Sequence, residues 1–451
     1  MEKIKLPKVV QTILDKFSKA NFKIYIVGGA VRDLLMRKKV SDWDFTTDAK
    51  PDEILKLFPD GFYDNKFGTV GIPASDQIYE ITTMRKEGDY VDHRHPVEVS
   101  WTDKIEEDLQ RRDFTINAMA IDPSSQAPLD DKGVIDPFGG QQDLKNKLIK
   151  AVGDPDKRFK EDALRLIRAI RFASQLEFDI ENDTFKSIQK NAQLIKEIAY
   201  QRIRDELFKI LASVNPYVGL LKLREAGILQ IILPELEKCF GIVQEGPKHD
   251  RIYDIGDHSF RTMRETPSID PLVKFAALLH DVGKGETFKT DDEDNVTFYN
   301  HDLVGAEIAL KIANRFNLSK KQSDKLYRLI RWHMFSTDER QTDSAIRRFI
   351  KNVGIDHLED MFALRIGDRL GGDTRKPVSW RMEEFQKRIK KVLEKPFSLA
   401  DLKVNGNDVM KVLKVKPSRK VGDILDQLFK EVLEDAAKNN KEYLIKRIKE
   451  I

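Results

Sequence analysis

Asp42 and Asp44 stand two residues apart in Ser41-Asp42-Trp43-Asp44-Phe45. On a strand, that spacing sends both carboxylates to one face. Two like charges there repel unless a cation lies between them, and oxygen-ligated Mg2+ is the usual one. Just upstream, Gly28-Gly29-Ala30-Val31-Arg32-Asp33 follows the apolar run Ile24-Tyr25-Ile26-Val27. Glycines let a backbone approach a phosphate, a helix opening there presents free N–H donors, and Arg32 adds a charge-assisted contact to a triphosphate. A phosphate-binding turn before a metal-binding carboxylate pair is what nucleotidyl transfer needs. One ion activates an attacking hydroxyl, and a second holds the triphosphate and the leaving pyrophosphate. Glu80, in Tyr79-Glu80-Ile81-Thr82, is a candidate third carboxylate.

A second stretch sets charges into an apolar helical pattern. In Glu161-Asp162-Ala-Leu-Arg165-Leu-Ile-Arg168-Ala-Ile-Arg171-Phe-Ala, a charge recurs every third residue from Asp162 to Arg171. Such charges spiral around a helix and leave no clean solvated face, so the helix is enclosed. Enclosed charges must be paired or meet a ligand. One reading is an internal Asp–Arg ion-pair ladder. The other follows from base chemistry. Cytosine and adenine each present an exocyclic amine beside a ring-nitrogen acceptor. A carboxylate accepts from the amine and a guanidinium donates to the ring nitrogen. Asp162 and Arg165 could therefore read both bases and refuse uracil and guanine, leaving Arg168 and Arg171 for phosphates or RNA backbone.

The third constellation is His280-Asp281, which ends the apolar run Phe275-Ala-Ala-Leu-Leu. Four of the chain's eight histidines, His258, His280, His301 and His333, join Asp281 and Asp368 in an ordered set. Histidine and aspartate suit Mg2+, Mn2+, Ni2+ or Fe2+. Such an ion could activate water for phosphate-ester hydrolysis, with Lys284 assisting on the phosphate. A lone His-Asp would be an ordinary satisfied pair; the full set is what points to a metal.

These residues need elements to hold them. The patterns predict a helix over 9–20, a strand over 23–28, a helix over 31–36, a strand over 41–45 and a helix over 51–58. Short strands follow near 69–72, 78–83 and 97–101, then a helix over 113–120. From Leu144 on, helical periods dominate, over 160–175, 183–195, 200–213 and 216–227, and again from 258 to 370, with no strong strand. The chain has 451 residues, a single cysteine and a formal charge of +3. One cysteine excludes an internal disulfide framework and a Cys-rich zinc ribbon. With 34% charged and 40% hydrophobic residues, the composition is that of a soluble globular protein. No apolar h-region follows Met1 to Lys8, which predicts no signal peptide, no membrane association and a reducing cytoplasm. Segments 145–210 and 411–451 are each mildly basic, either as solvated helix faces or as contact surfaces for a polyanion.

Taken together, the motifs resemble those of the class II, bacterial-type tRNA nucleotidyltransferases. Ile26 to Asp33 with Asp42-x-Asp44 resembles their motif A, and Arg111-Arg112-Asp113-Phe114-Thr115-Ile116-Asn117-Ala118-Met119-Ala120 their ribose-recognition motif. Asp136-Pro137-Phe138-Gly139-Gly140 looks like the hinge, Glu161-Asp162-x-x-Arg165 the amino-acid template, and Gln201 to Leu207 the last, mostly structural motif. The resemblance implies an α+β chain: a polymerase-beta-like head with a small mixed sheet, then all-α RNA-binding and HD domains. It implies Mg2+ on Asp42 and Asp44. It also implies nucleotide contacts from Gly29, Arg32, Arg112, Asp162, Arg165, Arg168 and Arg171. CTP, ATP and tRNA would be the partners, with no stable protein partner. The implied reaction is template-free addition of C, C and A to a tRNA 3′ end. Segment 85–96 resembles the flexible loop that CC-only enzymes lack. A-only or poly(A) addition by the same head is the alternative. The histidine–aspartate set resembles the HD-superfamily phosphohydrolases, with His258, His280, Asp281 and Asp368 as ligands to a divalent metal and His301 and His333 as further candidates. An HD phosphohydrolase with an RNA-binding head is a second alternative. The expected division is a head over 1–143, a helical neck and body over 144–245, an HD domain over 246–375 and a helical tail over 376–451.

Overall fold

The computed structural model describes residues 6–63, 68–74, 77–87, 99–123, 133–245, 252–290, 296–372, 376–393 and 399–451. Most of the loop 85–96 lies outside them. The chain forms two compact units, one of residues 1–237 with 315–317, the other of 238–314 with 318–451.

The first unit opens on helix Lys8–Lys19, whose Val10, Ile13, Leu14 and Phe17 repeat at helical spacing and are buried. They pack against a mixed sheet. Its strands are β1 (Ile24–Val27), β2 (Asp44–Thr47), β3 (Phe62–Tyr63), β4 (Thr69–Ala74) and β5 (Gln77–Thr83); β6 (Arg85–Glu87) and β7 (Val99–Trp101) form a separate ribbon; β8 (Ala120–Ile121) and β9 (Val134–Ile135) complete the sheet. The order is β3-β4-β5-β2-β1-β8-β9, with β2 and β5 parallel and the other pairs antiparallel. Ile26, Phe45, Val70 and Ile81 form the buried centre, which fixes the register of the strands carrying the carboxylates. Two pairings matter most: Val27 of β1 pairs with Asp44 of β2, and Asp44 pairs with Glu80 of β5.

Three local expectations need correction. The strand bearing the aspartates begins at Asp44, and Asp42 lies in a bend before it. The segment 113–120 is not a helix. It holds a 3-10 turn, Thr115–Asn117, and then β8. Hydrogen bonds from Thr115 N to Lys150 O and from Val152 N to Asp113 O pin it out of helical form. The helix read over 160–175 is two helices, Pro155–Glu161 and Leu164–Leu176. Asp162 between them is extended, with φ −139° and ψ 103°. Its Oδ1 accepts from Leu164 N at 3.1 Å, so the aspartate caps the second helix rather than continuing the first. Helix Leu164–Leu176 then packs on helices Tyr200–Leu211 and Pro216–Glu225, which explains its burial on nearly every side.

The second unit is built from helices Ile255–Glu265, Pro271–Leu279, His301–Arg315, Lys320–Arg331, Asp343–Val353, Leu358–Gly371 and Trp380–Leu393. Short two-stranded pairs also occur after residue 144, among them Leu148–Ile149 with Asp179–Ile180 and Val243–Glu245 with Ile252–Asp254. Gly367 and Gly371 let helix Leu358–Gly371 close on helix Ile255–Glu265. A Cβ on Gly371 would stand 2.7 Å from Thr262 N. That approach brings His258 of one helix to Asp368 of the other. Residues 402–448 have a core of their own, around Val409, Ile424, Leu428, Val432, Leu444 and Ile448. Among the described residues, no helix is long and apolar enough to cross a membrane.

Candidate functional site

In the first unit, β1 ends at Gly28, whose φ of +68° turns the chain into helix Gly29–Leu35. The space beside Gly28 is taken: a Cβ there would stand 3.0 Å from Arg112 Nη1 and 3.2 Å from Asp44 Oδ2. The turn therefore seats the backbone directly against the Asp44 carboxylate and the Arg112 guanidinium. Gly29, the glycine singled out above, has an ordinary backbone conformation and faces Arg32. Asp44 is half-buried. Desolvation raises its carboxyl above the ordinary range and Asp42 adds to this, while Arg112 and Arg32 pull the other way. Asp42 itself is exposed. A cavity of about 290 Å³ opens here, lined by Asp44 and Glu80 among the acids and Arg85, Arg111 and Arg112 among the bases. Sheet register thus carries Asp44 and Glu80 to one wall. A carboxylate raised by burial and by a second carboxylate is an environment that a divalent cation relieves.

Arg32 leaves the turn helix and reaches inward. It donates from Nε to Asp33 and from Nη1 to Asn117 Oδ1, both at 2.9 Å. Asn117 Nδ2 donates to Asp113 Oδ1 at 3.3 Å, and Asp113 Oδ2 accepts from Arg168 Nε and Nη2. Arg171 Nε lies 3.1 Å from Glu206 Oε2, close but not aligned as a hydrogen bond. Burial chiefly, then the Arg168 charge, lowers the Arg171 guanidinium to about 10. The guanidiniums of Arg32, Arg168 and Arg171 lie 5.5, 5.4 and 4.0 Å from the Phe172 ring centroid, within cation–π range. The predicted Arg168 and Arg171 do come together with Arg32, but their partners are Asp113, Asn117 and Glu206, which residue spacing did not single out. Of the ladder idea, the helix keeps the charges' enclosure and not the Asp162 pairing within it.

Asp162 and Arg165 flank the helix start. Asp162 Oδ2 lies 3.4 Å from Arg202 Nη2. Arg165 donates to Glu161 Oε2 at 2.9 Å, to Arg158 O at 3.1 Å and to Arg111 O at 2.7 Å. Asp162 keeps a partly exposed carboxylate; Arg165 is held by three acceptors and ties this helix to the Arg111 backbone.

In the second unit the histidine–aspartate set is assembled. His258, His280 and Asp368 have ligand atoms within 4.8 Å of one another, and so do Asp281, His301 and His333. Asp281 stands between the groups. Its Oδ2 is 3.2 Å from His280 Nε2 and 3.8 Å from His258 Nε2; its Oδ1 is 3.5 Å from His301 Nε2 and 3.6 Å from His333 Nε2. His258 Nε2 is 3.2 Å from Asp368 Oδ1. Nδ1 of His280, His301 and His333 lies 2.7–2.9 Å from the carbonyls of Ala277, Phe298 and Ile330. That contact makes Nδ1 the donor and turns the Nε2 lone pair inward. Those three Nε2 atoms are buried without a hydrogen-bond partner. Buried, orphaned imidazole nitrogens around two carboxylates are a donor set that fits divalent metal ions. Burial alone would raise the Asp281 carboxyl, but His280 and Lys284 outweigh it and hold it well below the ordinary range. Lys284 Nζ donates to Asp281 Oδ2 at 2.6 Å and to Gln244 Oε1 at 2.7 Å.

Known proteins place this geometry. The family described as Poly A polymerase head domain matches residues 24–150, the probable RNA- and SrmB-binding site of polymerase A matches 177–240, and the HD domain matches 255–361. A putative tRNA nucleotidyltransferase domain 2 matches 332–448. The CCA-adding enzyme of Ligilactobacillus salivarius is 33% identical over 97% of this chain and 95% of its own. That of Geobacillus thermodenitrificans is 44% identical over 50% of this chain and 54% of its own. The solved Bacillus stearothermophilus CCA-adding enzyme in complex with CTP superposes with a TM-score of 0.69 at 25% identity, over 98% of this chain and 96% of that one. A polymerase-type head and an HD domain both imply divalent metal ions. Near-complete coverage by one relative and the ordered matches along the chain make it a member of the CCA-adding enzyme family, a nucleotidyltransferase fused to an HD domain.

Proposed function

We propose that this chain adds C, C and A in turn to the 3′ end of tRNA from CTP and ATP, without a nucleic-acid template. The 3′-hydroxyl releases its proton to solvent as its oxygen bonds to the α-phosphorus, the bond from that phosphorus to the oxygen bridging to the β-phosphate breaks, and pyrophosphate leaves. The observation that carries this is the meeting of Asp44, Glu80 and Arg112 on one cavity beside the Gly28 turn. Asp42 and Asp44 are the residues to hold Mg2+, which supplies Lewis-acid charge at the α-phosphate. Arg112 and Arg32 then face the anionic nucleotide, and Asn117 and Asp113 keep Arg32 and Arg168 in place. Asp162 accepts from the exocyclic amine of C or A. Arg165 assists once it trades one of its present acceptors. The four-part division expected from the sequence remains our reading of the two units, with the tail 376–451 as a tRNA contact.

Incorporation on labelled tRNAs ending before CCA, after C and after CC tests this. Stepwise C, C, A and then a stop is the expected result. Addition of A only, or long A tails, would move the chain to the A-adding or poly(A) reading. Asp44→Ala should abolish incorporation.

A second activity is favoured by the second unit. The two histidine–aspartate groups support a phosphohydrolase centre with divalent ions, Mg2+, Mn2+, Ni2+ or Fe2+, held by His258, His280, Asp281 and Asp368 and by His301 and His333, with Asp281 shared. Such ions would activate water against a phosphate ester at an RNA end. His280→Ala should remove hydrolysis of a 2′,3′-cyclic or terminal phosphate and spare CCA incorporation. Joint loss of both activities would refute separate sites.

A further inference from the structure

Asp108 is a residue that neither motif reasoning nor the proposed chemistry uses. It sits on helix Ile105–Gln110, fully buried, at 0% exposure. Its Oδ1 accepts from Arg111 Nε and Nη2 at 3.0 and 2.8 Å, and its Oδ2 from Arg112 Nη2 at 3.3 Å. Oδ1 also takes a longer bond, 3.4 Å, from Arg85 N, the first residue of β6. Burial alone would raise this carboxyl; the Arg111 and Arg112 charges outweigh it and hold it below the ordinary range. Arg85, Arg111 and Arg112 all line the cavity together with Asp44 and Glu80.

The arrangement is specific. Arg111 and Arg112 are consecutive, and unrestrained side chains at consecutive positions diverge. One carboxylate with two oxygens gathers both guanidiniums to the same wall. Arg111's own carbonyl in turn accepts from Arg165 at 2.7 Å. Asp108 therefore lies at the junction of the β6–β7 ribbon, the arginine pair and the start of helix Leu164–Leu176. A buried carboxylate touching no cavity surface can act on a ligand only through the groups it holds.

We infer that Asp108 is a positioning residue of the nucleotide site: it orients Arg111 and Arg112 toward the bound triphosphate. The inference rests on reading the cavity as the nucleotide site. A mutant cycle on the full chain tests it. Asp108→Asn should lower kcat/KM for CTP and for ATP alike by about 10–100-fold, as loss of a charge-assisted hydrogen bond does. Because Asp108 acts through Arg111 and Arg112, adding Asp108→Asn to the Arg111→Gln/Arg112→Gln variant should cost little beyond that variant alone. Effects that multiply would overturn the inference. A second measurement needs no Asp108 variant. In the 15N-arginine-labelled wild type, the Arg111 Nε–H resonance, assigned with Arg111→Lys, should resist exchange with water up to pH 9. Rapid exchange there would also overturn it. Survival of incorporation in Asp44→Ala would instead defeat the reading of the cavity, which keeps the two failures apart.

Discussion

Arg168 donates two hydrogen bonds, of 2.9 and 2.6 Å, to one oxygen of Asp113. The other Asp113 oxygen accepts from Phe114 N and Asn117 Nδ2. Burial alone would raise the Asp113 carboxyl; Arg168 outweighs it and brings the value to about 2, against an ordinary 3.8. A depressed carboxyl adds stability that is complete above the unfolded value and is lost as pH falls through the folded one. For Asp113 the window runs from about pH 4 down to about 2, and the contribution is roughly 2 kcal/mol. Arg168→Met leaves the carboxylate buried and unpaired. At neutral pH its melting temperature should lie below that of the wild type, and the gap should narrow as pH falls from about 4 to about 2. Without Arg168, burial raises the folded carboxyl value and the acid loss shrinks. Identical melting profiles against pH in the two proteins would contradict this.

The Asp113–Arg168 pair also marks where the sequence stops being legible. Its members are far apart in the chain, and no local period connects them. The same holds for Arg32 with Asn117 and Arg171 with Glu206. The histidine–aspartate set was readable because histidine is rare and its chemistry narrow. The glycine turn and Asp44 were readable because a buried strand and a Gly-Gly break are local signals. The break at Asp162 was not. No glycine or proline interrupts the pattern there, and only the aspartate's bond to Leu164 N reveals a cap.

Gly28 should be irreplaceable for a reason separable from stability. Gly28→Ala places a methyl group 3.0 Å from Arg112 Nη1 and 3.2 Å from Asp44 Oδ2, at a φ of +68°. The backbone strain costs about 1–2 kcal/mol. The displaced Arg112 and Asp44 should lower kcat/KM for nucleotide addition by about 100-fold. Gly29→Ala, with ordinary φ and its nearest neighbour atom at 3.5 Å, should fold and incorporate nearly normally. Equal activity of the two variants would show that the close approach at Gly28 is not functional.

Metal removal should act on the second unit through Asp281. In an Asp44→Ala background stripped with chelator, Mn2+ at 100 times its Kd should stabilise the protein by about 2.7 kcal/mol for each ion bound. Elemental analysis should count two ions in that background, one after His258→Ala, one after His301→Ala and none after Asp281→Asn. A single ion indifferent to His301→Ala would remove the Asp281-shared centre.

Base choice should depend on Asp162 in a way its capping role does not explain. Its Oδ1 accepts from Leu164 N, so Asp162→Ala should cost about 1 kcal/mol of stability while Asp162→Asn, which caps equally well, should cost almost none. The other oxygen, with Arg202 Nη2 3.4 Å away, is the one left to meet an exocyclic amine. That geometry makes only a weak ion pair, so a base amine can displace it. Asp162→Ala should therefore narrow the preference for CTP and ATP over UTP and GTP by about 10–100-fold, the worth of one good base contact. The comparison is of kcat/KM for all four triphosphates on a CC-ended and an unextended tRNA. A folded Asp162→Ala protein that still rejects UTP and GTP at the wild-type ratio would place base reading on other residues, and Arg165 would then need no carboxylate partner.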